Sequence, residues 1–145
     1  MVRFKVIDKR NSLTSQILEE EKRLDRFRDA YLQELASKVI LYSPVDTGTY
    51  ITSHQIKPGR GGSGNFSSSN GKPKGQPYQP FADTGLANLF SDIEALPEVS
   101  LDFITISNYS QHAYSVEYEF GDPPYTSVRS EASNIAEKVA QRFKS

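Results

Sequence analysis

A stripe of apolar residues at helical spacing, running from position 13 to position 39, places the strongest constraint on how this chain folds. Its members recur at steps of three, four or seven residues: Leu13, Ile17, Leu24, Phe27, Tyr31, Leu35 and Val39. This spacing predicts one face of an α-helix of about 25 residues and about 38 Å, which ends at Pro44. Such a helix is unusually long for a chain of 145 residues. We therefore expect it to pack on more than its own chain.

Shorter patterns predict the elements that surround this helix. Alternation of apolar and polar residues predicts half-buried strands, and apolar residues three or four apart predict helices. The segment 111–120 fits either a strand or a helical turn that leads into a strand. We expect strands over 2–6, 49–57 and 99–107, a short helix over 86–96 and a last helix over 128–143. Together they predict one α+β domain over residues 1–145, in which an antiparallel sheet of three to five strands packs against a long N-terminal helix and a C-terminal helix.

The segment 58–80 differs in composition from the rest of the chain. It consists mainly of glycine, serine, asparagine and proline. This composition buries too little apolar surface to offset the entropy of ordering the chain. We therefore expect a long flexible loop inserted into the domain.

The same part of the chain is basic. No Asp or Glu occurs from 47 to 82, and because the whole chain totals −1, this segment of +4 leaves −5 elsewhere. Basic side chains can bind phosphate through counterion release or contact an acidic neighbouring subunit, and they can also simply keep a solvated loop soluble. The sequence leaves these readings open. The candidate contacts to channel DNA or to a neighbouring subunit are Lys57, Arg60, Lys72 and Lys74.

One motif suggests catalysis. The triplet Asp-Thr-Gly occurs at 46–48 and at 83–85, and aspartic proteases use this triplet to hold two carboxylates against one water. Only 37 positions separate the two aspartates, which is too few for the lobe that stands between such triplets. We therefore favour a turn at the first triplet, and a helix N-cap formed by Asp83 or Thr84 at the second.

Other routes to chemistry have little support. The chain has no cysteine and only two histidines, His54 and His112, and neither has Asp or Glu at the spacing of a metal site. We expect both to be ordinary strand or surface histidines. The glycines of 61–64 are not followed by the Gly-Lys-Ser/Thr of a phosphate loop. No secretory signal or membrane-spanning run is visible, so we expect a protein that stays in solution and has no catalytic residue, metal or cofactor.

Three short stretches resemble one protein family. S-P-V-D-T-G at 43–48 follows the long helix and precedes a strand; it resembles the P-V-D-T-G turn of small bacteriophage neck or tail-completion proteins, the minor tail components. A-Y-S-V-E-Y-E-F-G at 113–121 is similar to their A-x-Y-V-E-x-G segment, and P-P-Y at 123–125 resembles the step before their final helix. Together with the long helix before them and the last helix after them, the matching stretches run in order from about residue 13 to about residue 143.

The resemblance implies a structural virion protein and not an enzyme. The expected assembly is a ring of identical subunits, a hexamer, at the head–tail junction, and it would form in the host cytoplasm. The expected partners are the chain itself, the head connector or adaptor, the tail tube or terminator proteins and, without sequence specificity, the channel DNA. A tail terminator that caps the tube is the close alternative. An aspartic-type hydrolase and a stand-alone DNA-binding module rank lower.

Within the matching stretches, we expect the key residues to shape turns. Proline stops the helix, Asp and Thr side chains satisfy unpaired backbone amides, and glycine accepts a positive φ. The residues concerned are Pro44, Asp46, Thr47, Gly48 and Gly121.

Overall fold

A computed structural model gives the architecture of residues 2–45, 48–59, 74–98, 103–111, 113–118 and 123–143. This part of the chain forms four helices and a small antiparallel sheet, in agreement with the predicted mixture of helices and strands. In chain order the elements are α1 (Val2–Tyr42), β1 (His54–Pro58), α2 (Tyr78–Glu94), β2 (Ile104–Asn108), α3 (Ala113–Tyr118) and α4 (Pro124–Arg142).

The helix α1 departs most from the sequence prediction. It has 41 residues and begins at Val2, so the strand expected over 2–6 was wrong. Val2 and Val6 are four residues apart, and by helical spacing they extend the stripe of Leu13 and Ile17. No glycine or proline interrupts the chain between position 2 and the end of the helix. A helix of this length measures about 62 Å.

The sheet has two strands in the part of the chain that the structure describes, and the expected three to five are not confirmed. β1 pairs antiparallel with β2, and His54 stands opposite Asn108. The strand expected over 49–57 begins only at His54, because residues 48–52 form a turn. In that turn the Thr52 hydroxyl donates to the Gly48 carbonyl at 2.7 Å. Residues 99–102, the start of the strand expected over 99–107, lie outside the described residues.

The helix α2 begins earlier than predicted. Its first residue is Tyr78, so Asp83 and Thr84 lie within the helix and the expected N-cap was wrong. Proline is tolerated in the first turn of a helix, where its missing N–H has no intrahelical partner. Pro80 therefore does not end α2, and its carbonyl accepts a hydrogen bond from the Thr84 hydroxyl at 3.1 Å.

The structure also bears on the predictions for 111–120, for the last helix and for the loop over 58–80. Of the two readings of 111–120, the structure has a helix over Ala113–Tyr118. The last helix is confirmed as α4. The expected loop over 58–80 is shorter at both ends, because Pro58 is the last residue of β1 and Tyr78 is the first residue of α2. Its central residues, 60–73, lie outside the described residues.

The core lies where the C-terminal half of α1 meets α2 and α4. α4 runs antiparallel to α1: the Tyr42 hydroxyl donates to Glu131 at 2.7 Å at one end. At the other end the ring of Phe27 packs edge-on against Phe143, with centroids 5.9 Å apart. The buried residues of α1 are Leu32, Leu35, Ala36, Val39 and Ile40, and they pack with Ile51, Ile56, Leu89, Ile93, Val128, Ile135 and Val139.

The N-terminal part of α1 leaves this core. Leu13, Ile17, Leu18 and Leu24 are each more than half exposed. We call residues 13–24 the α1 arm and residues 25–42 the covered half of α1.

Candidate functional site

The turn after α1 is built on a close contact between Gly48 and α2. Gly48 has a φ of +88°, and a Cβ at this position would lie less than 3.0 Å from the ring of Phe81. Both the backbone conformation and the available space therefore exclude a side chain. Pro44 is exposed just beyond the end of α1. Asp46 and Thr47 lie outside the described residues, as does Gly121.

The second Asp-Thr-Gly triplet lies on the other side of the same interface. A Cβ on Gly85 would lie less than 3.0 Å from the carbonyl oxygen of Ile51, so this glycine allows α2 to approach the turn closely. Asp83 is exposed on α2 and accepts a hydrogen bond from Gln79 at 2.7 Å. The other aspartate of the hydrolase hypothesis, Asp46, lies outside the described residues, so the structure does not test that pairing.

A buried cluster of polar side chains centres on His54, which is 2% exposed. Its Nε2 lies 2.8 Å from the Ser43 hydroxyl. Its Nδ1 lies 2.6 Å from the Tyr125 hydroxyl and 3.1 Å from the amide nitrogen of Asn108. These residues belong to the end of α1, β1, β2 and α4. The cluster therefore ties the end of the long helix to the sheet and to the last helix.

The orientation of Asn108 fixes the protonation of the ring. Its Oδ1 accepts a hydrogen bond from the backbone N–H of Ser110 at 2.8 Å, and its amide nitrogen donates to the carbonyl of Tyr50 at 2.8 Å. The same nitrogen faces Nδ1 of His54, so Nδ1 is an acceptor. The Tyr125 hydroxyl accordingly donates to Nδ1, and the ring proton is on Nε2.

The direction of the Ser43–His54 hydrogen bond is opposite to that of a catalytic pair. Nε2–H of His54 donates to Ser43, and the Ser43 hydroxyl donates to the carbonyl of Val39 at 2.6 Å. A nucleophilic serine must instead give its proton to the histidine. Ser43 is also only 3% exposed. This pair therefore stabilises the fold and is not arranged to attack a substrate.

The protonation states of the cluster follow from its burial. Burial lowers the pKa of His54 to about 3, so the ring is neutral near neutral pH. Burial also raises the pKa of the Tyr50 and Tyr125 hydroxyls, which keeps them protonated. His54 lies on a strand, as one of the two sequence expectations has it, but it is buried and not at the surface. Its partners lie far apart in the chain, so no local motif could have indicated the cluster.

The basic candidates are not brought together by the described residues. Lys57 is exposed and its Nζ lies 3.6 Å from a carboxylate oxygen of Asp92. The other oxygen of Asp92 accepts the backbone N–H of Ile56 at 3.0 Å. Lys74 is exposed, whereas Arg60 and Lys72 lie outside the described residues. One of the four positive charges is therefore paired with an acid from α2.

An open cleft of about 410 Å³ lies between β2, α3 and α4. Glu117 of α3 contributes to its wall, and this carboxylate accepts the backbone N–H groups of Tyr125 and Thr126 at 3.0 and 2.7 Å. It thereby satisfies unpaired amides at the positive end of α4. The residues that line the cleft include Ile106, Ala113, Glu117, Tyr118, Tyr125 and Arg129.

The described part of the chain holds neither a metal site nor a membrane span. Within that part of the chain, no group of three His, Cys, Asp or Glu residues could hold a metal ion. No helix there is both long enough and apolar enough to cross a membrane. No protein-family model matches the sequence, and comparisons with curated proteins and with solved structures gave no match either.

Proposed function

We propose that this protein is a structural component of the bacteriophage head–tail junction, where it forms a ring that joins the head connector to the tail around the DNA channel. The observation that carries the proposal is the order of three stretches. P-V-D-T-G follows a long helix, A-Y-S-V-E-Y-E-F-G comes later, and P-P-Y lies at the start of the last helix. Virion localisation and a hexameric ring are part of this proposal.

The local geometry supports structural tasks for these stretches. In the first, Gly48 packs against Phe81 of α2. In the second, Glu117 binds the first backbone amides of α4. In the third, Pro124 is the first residue of α4 and is buried. The first two stretches therefore join a helix to another element and the third begins a helix, which supports structural and not catalytic tasks for them.

The surface of α1 also supports assembly. The α1 arm exposes apolar side chains along a helix, and apolar patches of this kind mark interaction surfaces. The reversed Ser43–His54 hydrogen bond supports a protein without chemistry of its own. We include in the proposal that the protein needs no cofactor.

The partners remain those implied by the family: further copies of the chain, the head connector or adaptor, and the tail tube or terminator proteins. Lys57, Arg60, Lys72 and Lys74 are proposed as contacts to channel DNA or to a neighbouring subunit. A tail terminator at the end of the tube is the alternative, and the same experiment distinguishes the two roles.

The test is removal of this gene from a phage genome that carries it, followed by electron microscopy of the particles. For a neck protein we expect filled heads and tails of normal length that do not join, and plasmid-borne wild-type gene should restore joining. Tails of uncontrolled length would indicate the terminator instead. Normal, infectious particles without the gene would contradict both roles.

A further inference from the structure

The exposed apolar face of the α1 arm has no cover among the described residues. Leu13, Ile17 and Leu24 are 57%, 51% and 59% exposed. By helical spacing they lie on the face that carries Leu35 into the core further along the same helix. The face that is buried over residues 25–42 is therefore exposed to solvent along the arm. Its apolar side chains match a protein surface that also carries apolar side chains.

The cleft between β2, α3 and α4 offers such a surface. Ile106, Ala113 and Tyr118 contribute apolar groups, and Tyr118 is 71% exposed. The carboxylate of Glu117 is engaged with the backbone of α4. Arg129 is exposed at the cleft and forms no ion pair with the residues described. The cleft thus combines apolar surface with a positive charge at its rim.

The arm carries three glutamates and two basic residues. Glu19, Glu20 and Glu21 are exposed, and they lie between the exposed apolar residues. The nearest basic partner of Glu20 is Arg23 at 4.0 Å, in a pair that is exposed to solvent and therefore weak. Carboxylates beside apolar side chains match an apolar cleft that has a guanidinium at its rim.

The outer edge of β2 adds hydrogen-bond donors to this cleft. Gly59 and Tyr109 donate backbone hydrogen bonds across the two strands, to Phe103 and Ser53 respectively. Odd-numbered residues of β2 therefore face β1, and the backbone N–H of Ile106 points to the outer edge, since alternate residues face opposite edges. The outer edge can donate to carboxylates, as Arg129 can.

A molecule cannot fill its own cleft with its own arm. Tyr125, in the cleft, is joined through His54 to Ser43, so the cleft lies beside the C-terminal end of α1. At about 1.5 Å per residue, Leu24 lies about 28 Å and Leu13 about 45 Å before that end. Because α1 is one continuous helix, the arm stays away from the cleft of the same molecule.

We propose that the α1 arm of one copy of this chain docks in the β2–α3–α4 cleft of the next copy, head to tail. The two surfaces differ and lie at opposite ends of α1, so each pair leaves one arm and one cleft for further copies. Contacts of this kind extend until they close into a ring. The inference rests on the proposed function, for which it names the contact between subunits.

Single substitutions with matched controls test the contact. Ile17→Gln replaces an apolar side chain of the arm by a polar one. Ser15→Gln introduces the same side chain on the opposite side of the arm, where no apolar group is lost. Arg129→Glu reverses the charge at the cleft, and Ser130→Glu adds a carboxylate to the neighbouring exposed position of α4. Sedimentation velocity over a concentration series measures self-association, and circular dichroism checks that each variant is folded.

We expect the mass of the wild-type protein to rise with concentration. Ile17→Gln and Arg129→Glu should each raise the apparent dissociation constant about tenfold or more, and the two controls should not. An equal mixture of the two variants should form a one-to-one dimer and nothing larger, because only one intact arm and one intact cleft can meet. A heterodimer that stops at two copies is specific to a head-to-tail contact.

Other outcomes overturn the inference. If Arg129→Glu associates like the wild type while Ile17→Gln does not, the arms pair with each other and the cleft is not their partner. If the wild type is monomeric at every concentration, the arm does not bind a second copy. Failure of the proposed function looks different, because the protein would then associate head to tail but be missing from phage particles.

Discussion

The two halves of α1 differ in what keeps them helical. In the covered half, α2 and α4 bury Leu35, Ala36 and Val39 to 8% exposure or less. In the α1 arm, Leu13 and Leu24 remain more than half exposed. The same pattern of apolar residues is therefore buried in the core in one half and exposed to solvent in the other.

This difference shows that a helix can extend well beyond the core that nucleates it. Starting a helix is unfavourable, but each further residue adds a hydrogen bond at little cost. The covered half supplies the nucleus, and the arm is rich in Leu, Glu, Lys and Arg, which are good helix formers. The arm can therefore stay helical without contributing to the core, and its apolar face is left for a partner.

The largest expected effect concerns the cluster at the end of the covered half. The folded pKa of His54 is about 3 and its ordinary value is 6.5, so the unfolded chain takes up a proton first as the pH falls. The free energy of unfolding should therefore decrease as the pH falls from above 6.5 to below about 3, by about 5 kcal/mol in total at about 1.4 kcal/mol per pKa unit. Urea unfolding of the wild type and of His54→Gln at several pH values measures this dependence. Equal pH slopes for the two proteins would show that His54 is not responsible.

The second prediction compares the same substitution in the two halves of α1. Leu35→Ala should lower the free energy of unfolding by about 3 kcal/mol, because it leaves a cavity in the core. Leu24→Ala, at an exposed position of the same helix, should change it by less than about 0.5 kcal/mol. Urea unfolding at low protein concentration provides both values. A large cost for Leu24→Ala would mean that the arm is covered within the monomer.

A third substitution tests the contact of α2 with the turn that follows the covered half. Gly85→Ala places a Cβ against the backbone carbonyl of Ile51, which cannot move without shifting the turn. We expect a loss of about 2 kcal/mol in the free energy of unfolding. Ser91→Ala, at an exposed position of α2, is the matched control and should be nearly neutral. A neutral Gly85→Ala would show that α2 does not approach the turn this closely.

The smallest expected effect is at the start of α4, the helix that covers α1. Glu117→Gln removes the negative charge but keeps one acceptor for the backbone amides of Tyr125 and Thr126. The loss in the free energy of unfolding should be about 1 kcal/mol, and it should shrink as salt is added. Thermal unfolding at low and high ionic strength measures it. If salt leaves the difference unchanged, the side chain acts through its shape and not through its charge.

Sequence patterns predicted the helices better than the strands or the site. The covered half of α1 and α4 were predicted because their apolar spacing persists over several turns. The first residues of the chain were assigned to a strand, since Val2, Phe4 and Val6 also satisfy a period of two. Over so few residues the two periods cannot be separated, and only continuity with the following stripe decides between them.

The candidate site was less predictable for a different reason. The two Asp-Thr-Gly triplets were visible in the sequence, and each glycine lies at the interface between α2 and the turn that follows α1. The partners of His54 were not visible, because Ser43, Asn108 and Tyr125 come together only when four segments pack. Hydrogen bonds between distant segments leave no periodic pattern in the sequence.

Local patterns in the sequence were enough to predict a long amphipathic helix that ends before the P-V-D-T-G segment and a last helix near the end of the chain. These features are local, since they depend on the spacing of apolar residues and on the backbone preferences of proline and glycine. Which part of the long helix is buried follows from tertiary packing, because burial depends on where α2 and α4 end relative to α1. Tertiary packing also decided that His54 is a neutral, buried hydrogen-bonding centre, because both its pKa and its proton position are set by residues that are remote in the chain.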